Sequence, residues 1–143
     1  MLEDILIGIT QALDAEFKNM NIYTDDIEQG LDTPCFLVTD LISTEEQELG
    51  NRYNRSYPFM IQYFPREKKY RIECGRVKDR LFNCLEYITV AGNTTRGTEM
   101  SGRVDDANGV LNFEVTYDMQ IMKVCKDDSE VMESLAMSQT VKE

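Results

Sequence analysis

The stretch LNFEVTYDMQI, residues 111–121, has the most regular pattern in the chain. Apolar residues take every second position, namely Leu111, Phe113, Val115, Tyr117, Met119 and Ile121. Because successive side chains of a β-strand point to opposite faces, this pattern predicts a strand with one packed face and one polar face. The preceding residues, Asp105 to Gly109, end in Asn-Gly, which readily adopts the positive φ angles of a hairpin turn. We therefore expect residues 111–121 to be the second strand of a hairpin.

Further strands are predicted upstream of this hairpin. From Arg52 to Phe64 the period is again two, and the apolar side holds Tyr53, Tyr57, Phe59, Ile61 and Tyr63. Shorter extended segments are predicted at residues 22–24, 35–41, 88–90 and 94–104. The mostly polar segment from Ser43 to Asn51 is predicted to be a loop.

Two segments have apolar residues at steps of three and four, which is typical of helices that bury one side. The first runs from Leu2 to about Asn19, and the second runs from about Lys68 to Tyr87 with a basic exposed side. The order of elements predicts an α+β domain over residues 1–124, with an antiparallel sheet of about four to five strands and both helices on one face. Residues 125–143 are expected to form an acidic C-terminal extension that is helical or ordered by a partner.

Length and composition favour one globular domain with a contiguous core. The chain has 143 residues, of which 42% are hydrophobic and 29% are charged. Its longest apolar runs are a few residues, whereas a membrane span needs about 20, so we expect no membrane association. Glu3 and Asp4 stand where a secretory signal would carry Lys or Arg. We therefore expect the protein to be made and kept in a cytoplasm.

Several features argue against catalysis and against a bound cofactor. The chain has no histidine, the commonest general base and a frequent zinc ligand. The acidic pairs Asp25-Asp26, Asp105-Asp106 and Asp127-Asp128 lack the alternating spacing of a calcium loop and are interpreted as solvated turns. No glycine-rich phosphate-binding motif occurs. The cysteines have no CxxC spacing and are predicted to be reduced thiols of the core: Cys35, Cys74, Cys84 and Cys125.

Charge is distributed unevenly along the chain, whose net charge is −11. Residues 1–50 hold twelve acidic residues and one basic residue, whereas residues 51–82 hold nine basic and three acidic residues. Opposite patches of this kind suit a head-to-tail interface between identical subunits. The alternative, equally supported by the sequence, is that the two regions neutralise each other within one fold.

The basic region also contains interleaved tyrosines, a combination found on nucleic-acid-binding surfaces. The tyrosines of the 52–64 strand, however, fall on its core-facing side, and the basic residues of the second helix fall on its solvated side. We therefore expect no sequence-specific nucleic-acid binding.

Several strings of residues, taken as a set, are similar to one family. They are Ile27-Glu28-Gln29-Gly30, Pro34-Cys35-Phe36, Arg52-Tyr53, Pro58 to Pro65, Arg80 to Ile88, Arg96 to Met100, and Gly109 to Phe113 with Val115 and Tyr117. The chain resembles the tail terminator-like proteins of phages and of phage-derived contractile particles of Gram-positive bacteria. The resemblance covers residues 1 to about 124 and leaves open whether the particle is a phage, a defective prophage or a headless bacteriocin.

This resemblance implies a non-enzymatic structural protein that forms a ring, usually of six copies, on the head-proximal end of a tail tube. Such a ring ends tube polymerisation and offers a surface to the head connector. The implied partners are further copies of the chain, the tail tube protein, a connector or neck protein, and the sheath protein. Assembly would take place in the cytoplasm of the bacterial host.

Charged residues on two long polar connections, at the start of the 52–64 strand and on the basic helix are the predicted contacts with a neighbouring subunit or the tube. The connections are Ser43 to Asn51 and Ala91 to Gly109. The predicted interface residues are Glu45, Glu46, Glu48, Arg52, Arg55, Arg76, Arg80, Arg96, Arg103, Asp105 and Asp106. Two alternatives stay open: a small monomeric adaptor or regulatory binding module, and a carboxylate-dependent metal enzyme such as a nuclease.

Overall fold

The computed structural model describes residues 1–24, 33–66 and 70–123. Two helices and seven strands lie in these segments. They are α1 Leu2–Glu16, β1 Asn21–Tyr23, β2 Cys35–Asp40, β3 Thr44–Gln47, β4 Arg52–Phe64, α2 Tyr70–Cys84, β5 Tyr87–Val90, β6 Asn93–Asp105 and β7 Val110–Met122. The predicted C-terminal extension, the pairs Asp25-Asp26 and Asp127-Asp128, and Cys125 lie outside the described residues.

The strands form a mixed sheet in the order β1-β2-β4-β7-β6-β5, and β3 pairs with β4 as well. β1 and β2 are parallel, and all other pairs are antiparallel. The predicted class, α+β with two helices, is confirmed. The prediction of about four to five strands, all antiparallel, is wrong: the described part of the chain has seven strands and one parallel pair. β3 was missed because it is short and carries no apolar alternation, whereas β1 overlaps the extended segment predicted at residues 22–24.

Both helices contribute to one core cluster together with one face of the sheet. α1 buries Ile5, Ile9 and Leu13, and α2 buries Cys74, Val77 and Leu81. The apolar positions predicted for β7 are all fully buried, as are Phe59 and Ile61 of β4. The period of two in β4 and β7 therefore gave the correct faces. Burial of these side chains, each worth about 1.5–3 kcal/mol, is the main stabilisation of the fold.

Both predicted helices form, although their ends differ from the prediction. α1 ends at Glu16, slightly before the expected end, and α2 ends at Cys84 rather than at Tyr87. Leu85 and Ile88 continue the helical spacing and are buried, so the spacing alone does not mark where the helix stops. Lys68, the expected start of the second helix, lies outside the described residues.

The segment from Ser43 to Asn51 is not a loop throughout, because Thr44–Gln47 forms β3. All residues of β3 are exposed, and the strand is held by backbone pairing to β4, with Glu45 opposite Arg55. A strand exposed on both faces carries no apolar alternation, which is the signal on which the sequence prediction depended.

The segment from Ala91 to Gly109 is not a projecting connection either. The expectation that residues 88–90 and 94–104 are extended is confirmed, since β5 and β6 cover them. The connection between β6 and β7 is only the short turn at Asp106–Gly109, where Gly109 has a φ of 74°. The predicted hairpin is therefore present. Its first strand, β6, makes up most of the segment from Ala91 to Gly109, which was predicted to be a polar connection that contacts a partner.

Candidate assembly surfaces

Glu45 and Arg55, both predicted interface residues, are paired with each other. The Arg55 side chain donates to Glu45 Oε1 from Nε at 3.0 Å and from Nη2 at 2.7 Å. Lys123, which follows β7, also pairs with the Glu45 carboxylate. The hydrogen bonds from Lys123 and Arg55 lower the pKa of Glu45. These three residues join β3, β4 and the end of β7, so Glu45 and Arg55 have a structural role within the subunit.

Arg80 is likewise engaged within the subunit. Its Nε donates to Glu16 Oε2 at 2.8 Å, its Nη2 donates to the Glu16 main-chain oxygen at 2.5 Å, and its guanidinium lies 4.2 Å from the centre of the Phe17 ring. This contact joins the end of α1 to α2. Because Glu45–Arg55 and Glu16–Arg80 each pair the acidic region 1–50 with the basic region 51–82, part of the charge asymmetry is neutralised within the fold.

Three more of the predicted interface residues have partners in the same chain. Asp106 pairs with Arg71, and Arg96 lies 3.6 Å from Glu86. Asp105 accepts a hydrogen bond from the main-chain N–H of Ala107 at 2.9 Å and so belongs to the β6–β7 turn. The ion pairs of Asp106 and Arg96 are exposed and contribute about 0–1 kcal/mol each. Because they are weak, a partner can compete for both side chains.

The other predicted interface residues are exposed and form no ion pair with any described residue. They are Glu46, Glu48, Arg52, Arg76 and Arg103. Glu46 lies on β3, Glu48 lies in the turn after it, and Arg52 begins β4, so these three are neighbours at one edge of the sheet. Arg76 lies on α2 and Arg103 on β6. The structure therefore brings together only part of the predicted set.

The polar face of the sheet carries an acidic surface that the sequence prediction missed. A concavity of about 1050 Å³ is lined by Asp40, Ile42, Glu99, Glu114 and Asp118 together with uncharged residues, and no basic residue among those described lines it. We call it the acidic concavity. The alternation of β7 already placed Glu114 and Asp118 on the polar face, and this was the one sequence signal that pointed to it.

Glu99 reaches the acidic concavity because of an irregularity in β6. The pairing of β6 with β7 shifts between Thr98 and Ser101, which is a β-bulge, and Glu99 has a φ of 52°. Bulges re-aim side chains, and a positive φ is uncommon for a residue other than glycine. The bulge thus adds a further carboxylate to the surface formed by β2 and β7.

A second surface lies between the end of α1 and α2. It is a recess of about 410 Å³ with an apolar floor of Phe17, Met20, Pro34 and Val77, and its rim carries Arg66, Arg76 and Arg80. We call it the basic groove. Glu73, the one acidic residue among the described residues that line it, accepts hydrogen bonds from the Tyr63 hydroxyl at 2.5 Å and from the Arg66 main-chain N–H at 3.0 Å. The groove therefore presents apolar surface and positive charge.

The described cysteines have the environments of core thiols. Cys35 and Cys74 are buried, and Cys84 is half-buried. Burial raises the pKa of Cys74, and burial followed by the Glu16 charge raises the pKa of Cys84 to about 12. A thiol with so high a pKa is a poor nucleophile at neutral pH. The predicted core placement of Cys35 and Cys74 is confirmed.

The described residues contain no group of three or more side chains suited to hold a metal ion. Within the same segments, neither helix has the length and apolar character required to span a membrane.

The fold defines a class: a small α+β domain in which ion pairs such as Glu45–Arg55 and Glu16–Arg80 join its own elements, and whose described surface includes the acidic concavity and the basic groove. Residues 4–132 match the family described as phage tail terminator protein. The chain belongs to this family, and the resemblance found in the sequence is confirmed. Tail terminators are structural proteins that are not normally catalytic, and a tail-terminating structural role follows from membership.

Among solved structures, the chain is similar to one titled as the sheath/tube terminator, in the extended state, of an extracellular contractile injection system, PVC. The two sequences are 14% identical, and the TM-score is 0.45. The match covers 81% of this chain and 56% of that one, so this chain spans little more than half the length of its structural neighbour. No curated protein sequence matches the chain.

Proposed function

We propose that the chain forms a ring, of six copies, on the head-proximal end of a finished tail tube. The ring stops addition of further tube subunits and offers a surface to a connector or neck protein, and the sheath protein contacts it where the tail is contractile. The observation that carries this proposal is the family match over residues 4–132. Assembly takes place in the cytoplasm of the bacterial host.

Charge is the structural support for self-association. The acidic concavity and the basic groove are separate surfaces of one chain. No described basic residue lines the concavity, and Arg66 and Arg76 of the groove form no ion pair with a described residue, whereas Arg80 is paired with Glu16. Different surfaces that fit each other give head-to-tail contacts, and such contacts close into a ring when the rotation between subunits permits it. Exposed charges are screened over about 8–10 Å at physiological ionic strength, so the ring is weakened by salt.

The deciding experiment deletes the gene for this protein from the genome that encodes the tail particle. Without the chain, tails should have uncontrolled length in electron micrographs, and expression of the chain from a plasmid should restore a uniform length. Tails of normal length in the deletion strain would contradict the proposed function.

A monomeric adaptor is the second candidate, favoured by the pairs Glu45–Arg55 and Glu16–Arg80, which neutralise part of the charge within one subunit. Mass photometry separates the two functions. The terminator should form rings at low salt, or at least on added tail tubes, and should dissociate as salt is raised. A protein that stays monomeric under both conditions is an adaptor.

A further inference from the structure

The basic groove has the character of a docking site for an apolar side chain flanked by acids. Its floor is apolar, and on its rim Ile72 is 62% exposed. Neither Arg66 nor Arg76 forms an ion pair with a described residue, whereas the groove's acid, Glu73, is already bonded to Tyr63 and to the main chain. An occupant that brings an apolar side chain and a carboxylate would cover the floor and pair with these guanidinium groups.

The same chain carries a segment with that chemistry. Ile42, which follows β2, is 83% exposed although it is a large apolar residue. It lines the acidic concavity together with Asp40 and Glu114. A protruding isoleucine beside carboxylates is the chemical complement of an apolar recess beside guanidinium groups.

The two features lie at opposite ends of one strand. β2 begins at Cys35, directly after Pro34 of the groove floor, and ends at Asp40, two residues before Ile42. At about 3.3 Å per residue the six-residue strand is roughly 20 Å long. The main chain at Leu41 is held to β4 by a hydrogen bond from its N–H to the Pro58 oxygen at 2.9 Å. Ile42 therefore cannot reach the groove of its own subunit.

We propose that the segment Asp40–Ile42 of one copy docks in the basic groove of the next copy, with Ile42 against the accessible apolar residues Met20 and Ile72 and with Asp40 and Glu114 facing Arg66 and Arg76. This inference rests on the proposed ring and names the surfaces that form it. The contact is head-to-tail, because it joins two different surfaces that lie at opposite ends of β2.

The first test compares two equally exposed apolar residues. Ile42→Ser should raise the protein concentration required for half-maximal assembly by at least about tenfold, since it removes one large apolar side chain from the contact. Leu49→Ser is the matched control, because Leu49 is 85% exposed and lines neither surface. Assembly is measured by native mass spectrometry, or on added tail tubes if the wild type assembles only there. On tubes, Ile7→Ser replaces Leu49→Ser as the control, because Leu49 adjoins Glu48 whereas Ile7 is an exposed residue of α1 that lines neither surface. Equal assembly by wild type and Ile42→Ser overturns the proposal, and so does equal loss in both variants.

The second test reverses charge on each surface. One variant combines Asp40→Lys with Glu114→Lys, and the other combines Arg66→Glu with Arg76→Glu. Each variant alone should stay monomeric, because like charges face each other at every contact. An equimolar mixture should assemble, since each acidic surface then meets a basic one and the two variants alternate around the ring. Failure of the mixture to assemble, when circular dichroism shows both variants folded, overturns the proposal.

The outcomes of these tests distinguish a failure of the proposed contact from a failure of the proposed ring. If the wild type forms rings and every variant forms rings as well, the ring stands and the proposed contact is wrong. If the wild type is monomeric both alone and on tail tubes, the ring itself is wrong and this contact with it.

Discussion

The hydroxyl of Tyr117 on β7 donates a hydrogen bond of 2.7 Å to the main-chain oxygen of Leu85, the residue after α2, and both residues are fully buried. Burial raises the pKa of Tyr117, so the hydroxyl keeps its proton and acts as the donor. The bond ties the end of α2 to the central part of the sheet.

Tyr117→Phe should lower the free energy of unfolding by about 1–3 kcal/mol, because the Leu85 carbonyl loses its side-chain donor in a buried position. Urea denaturation followed by circular dichroism measures the change. Tyr87→Phe is the control, since Tyr87 is 56% exposed, and it should unfold like the wild type. Equal stability of Tyr117→Phe and the control would contradict the importance of this bond.

Gly97→Ala and Gly75→Ala should change stability in opposite directions. A Cβ on Gly97 would lie 2.7 Å from the Leu85 oxygen and 2.8 Å from Val115 Cγ2, so alanine forces the backbone apart. A Cβ on Gly75 of α2 meets nothing within 4 Å, and alanine there should stabilise the helix by about 0.5–1 kcal/mol. Thermal unfolding compares them. A higher melting temperature for Gly97→Ala than for the wild type would show that the close approach is not restrictive.

Phe113→Ala should cost about 3–5 kcal/mol, because it leaves a cavity in the core and removes an edge contact with the Phe82 ring, whose centroid is 5.0 Å away. Chemical denaturation is the appropriate measurement. A variant as stable as the parent would mean that the faces of β7 are reversed.

Glu45→Gln should destabilise the protein at neutral pH, and the difference from the wild type should shrink as the pH falls. The folded-state pKa of Glu45 lies below its ordinary value of 4.5. A group with a lowered pKa stabilises the fold above that ordinary value and loses this contribution as the pH falls through the folded-state pKa. Denaturation midpoints between pH 7 and pH 3 test this, with Glu46→Gln as the neighbouring control. If the stability difference between Glu45→Gln and the wild type stays constant over this range, the ionised Glu45 carboxylate does not stabilise the fold.

Glu46→Ser with Glu48→Ser should yield tails of uncontrolled length while the fold stays intact. Both carboxylates are exposed at the β3 edge and form no ion pair with described residues, so they are available to the tube. Tail lengths in electron micrographs are the measurement, and Glu3→Ser with Asp14→Ser removes the same charge from α1 as a control. Normal tails in the first variant would place the tube contact elsewhere.

Local patterns in the sequence predicted most elements of the fold. The alternation at Phe113 and Val115 and the three- and four-residue steps from Ile5 to Leu13 each lie within one segment, and all of these residues are buried. The patterns did not reveal β3, because a strand with both faces in water has no apolar period. They also could not reveal that Arg55 and Arg80 are already paired.

The sequence by itself determined the class of fold, the buried faces of β4, β7 and both helices, and the family, because these depend on residue types at short and regular spacing. Only the tertiary structure decided which charges remain for a partner. Glu16 meets Arg80 across 64 residues, and the acidic concavity combines Asp40, Glu99 and Glu114 from three strands. Strand register and helix packing create these contacts, and both depend on distant parts of the chain coming together.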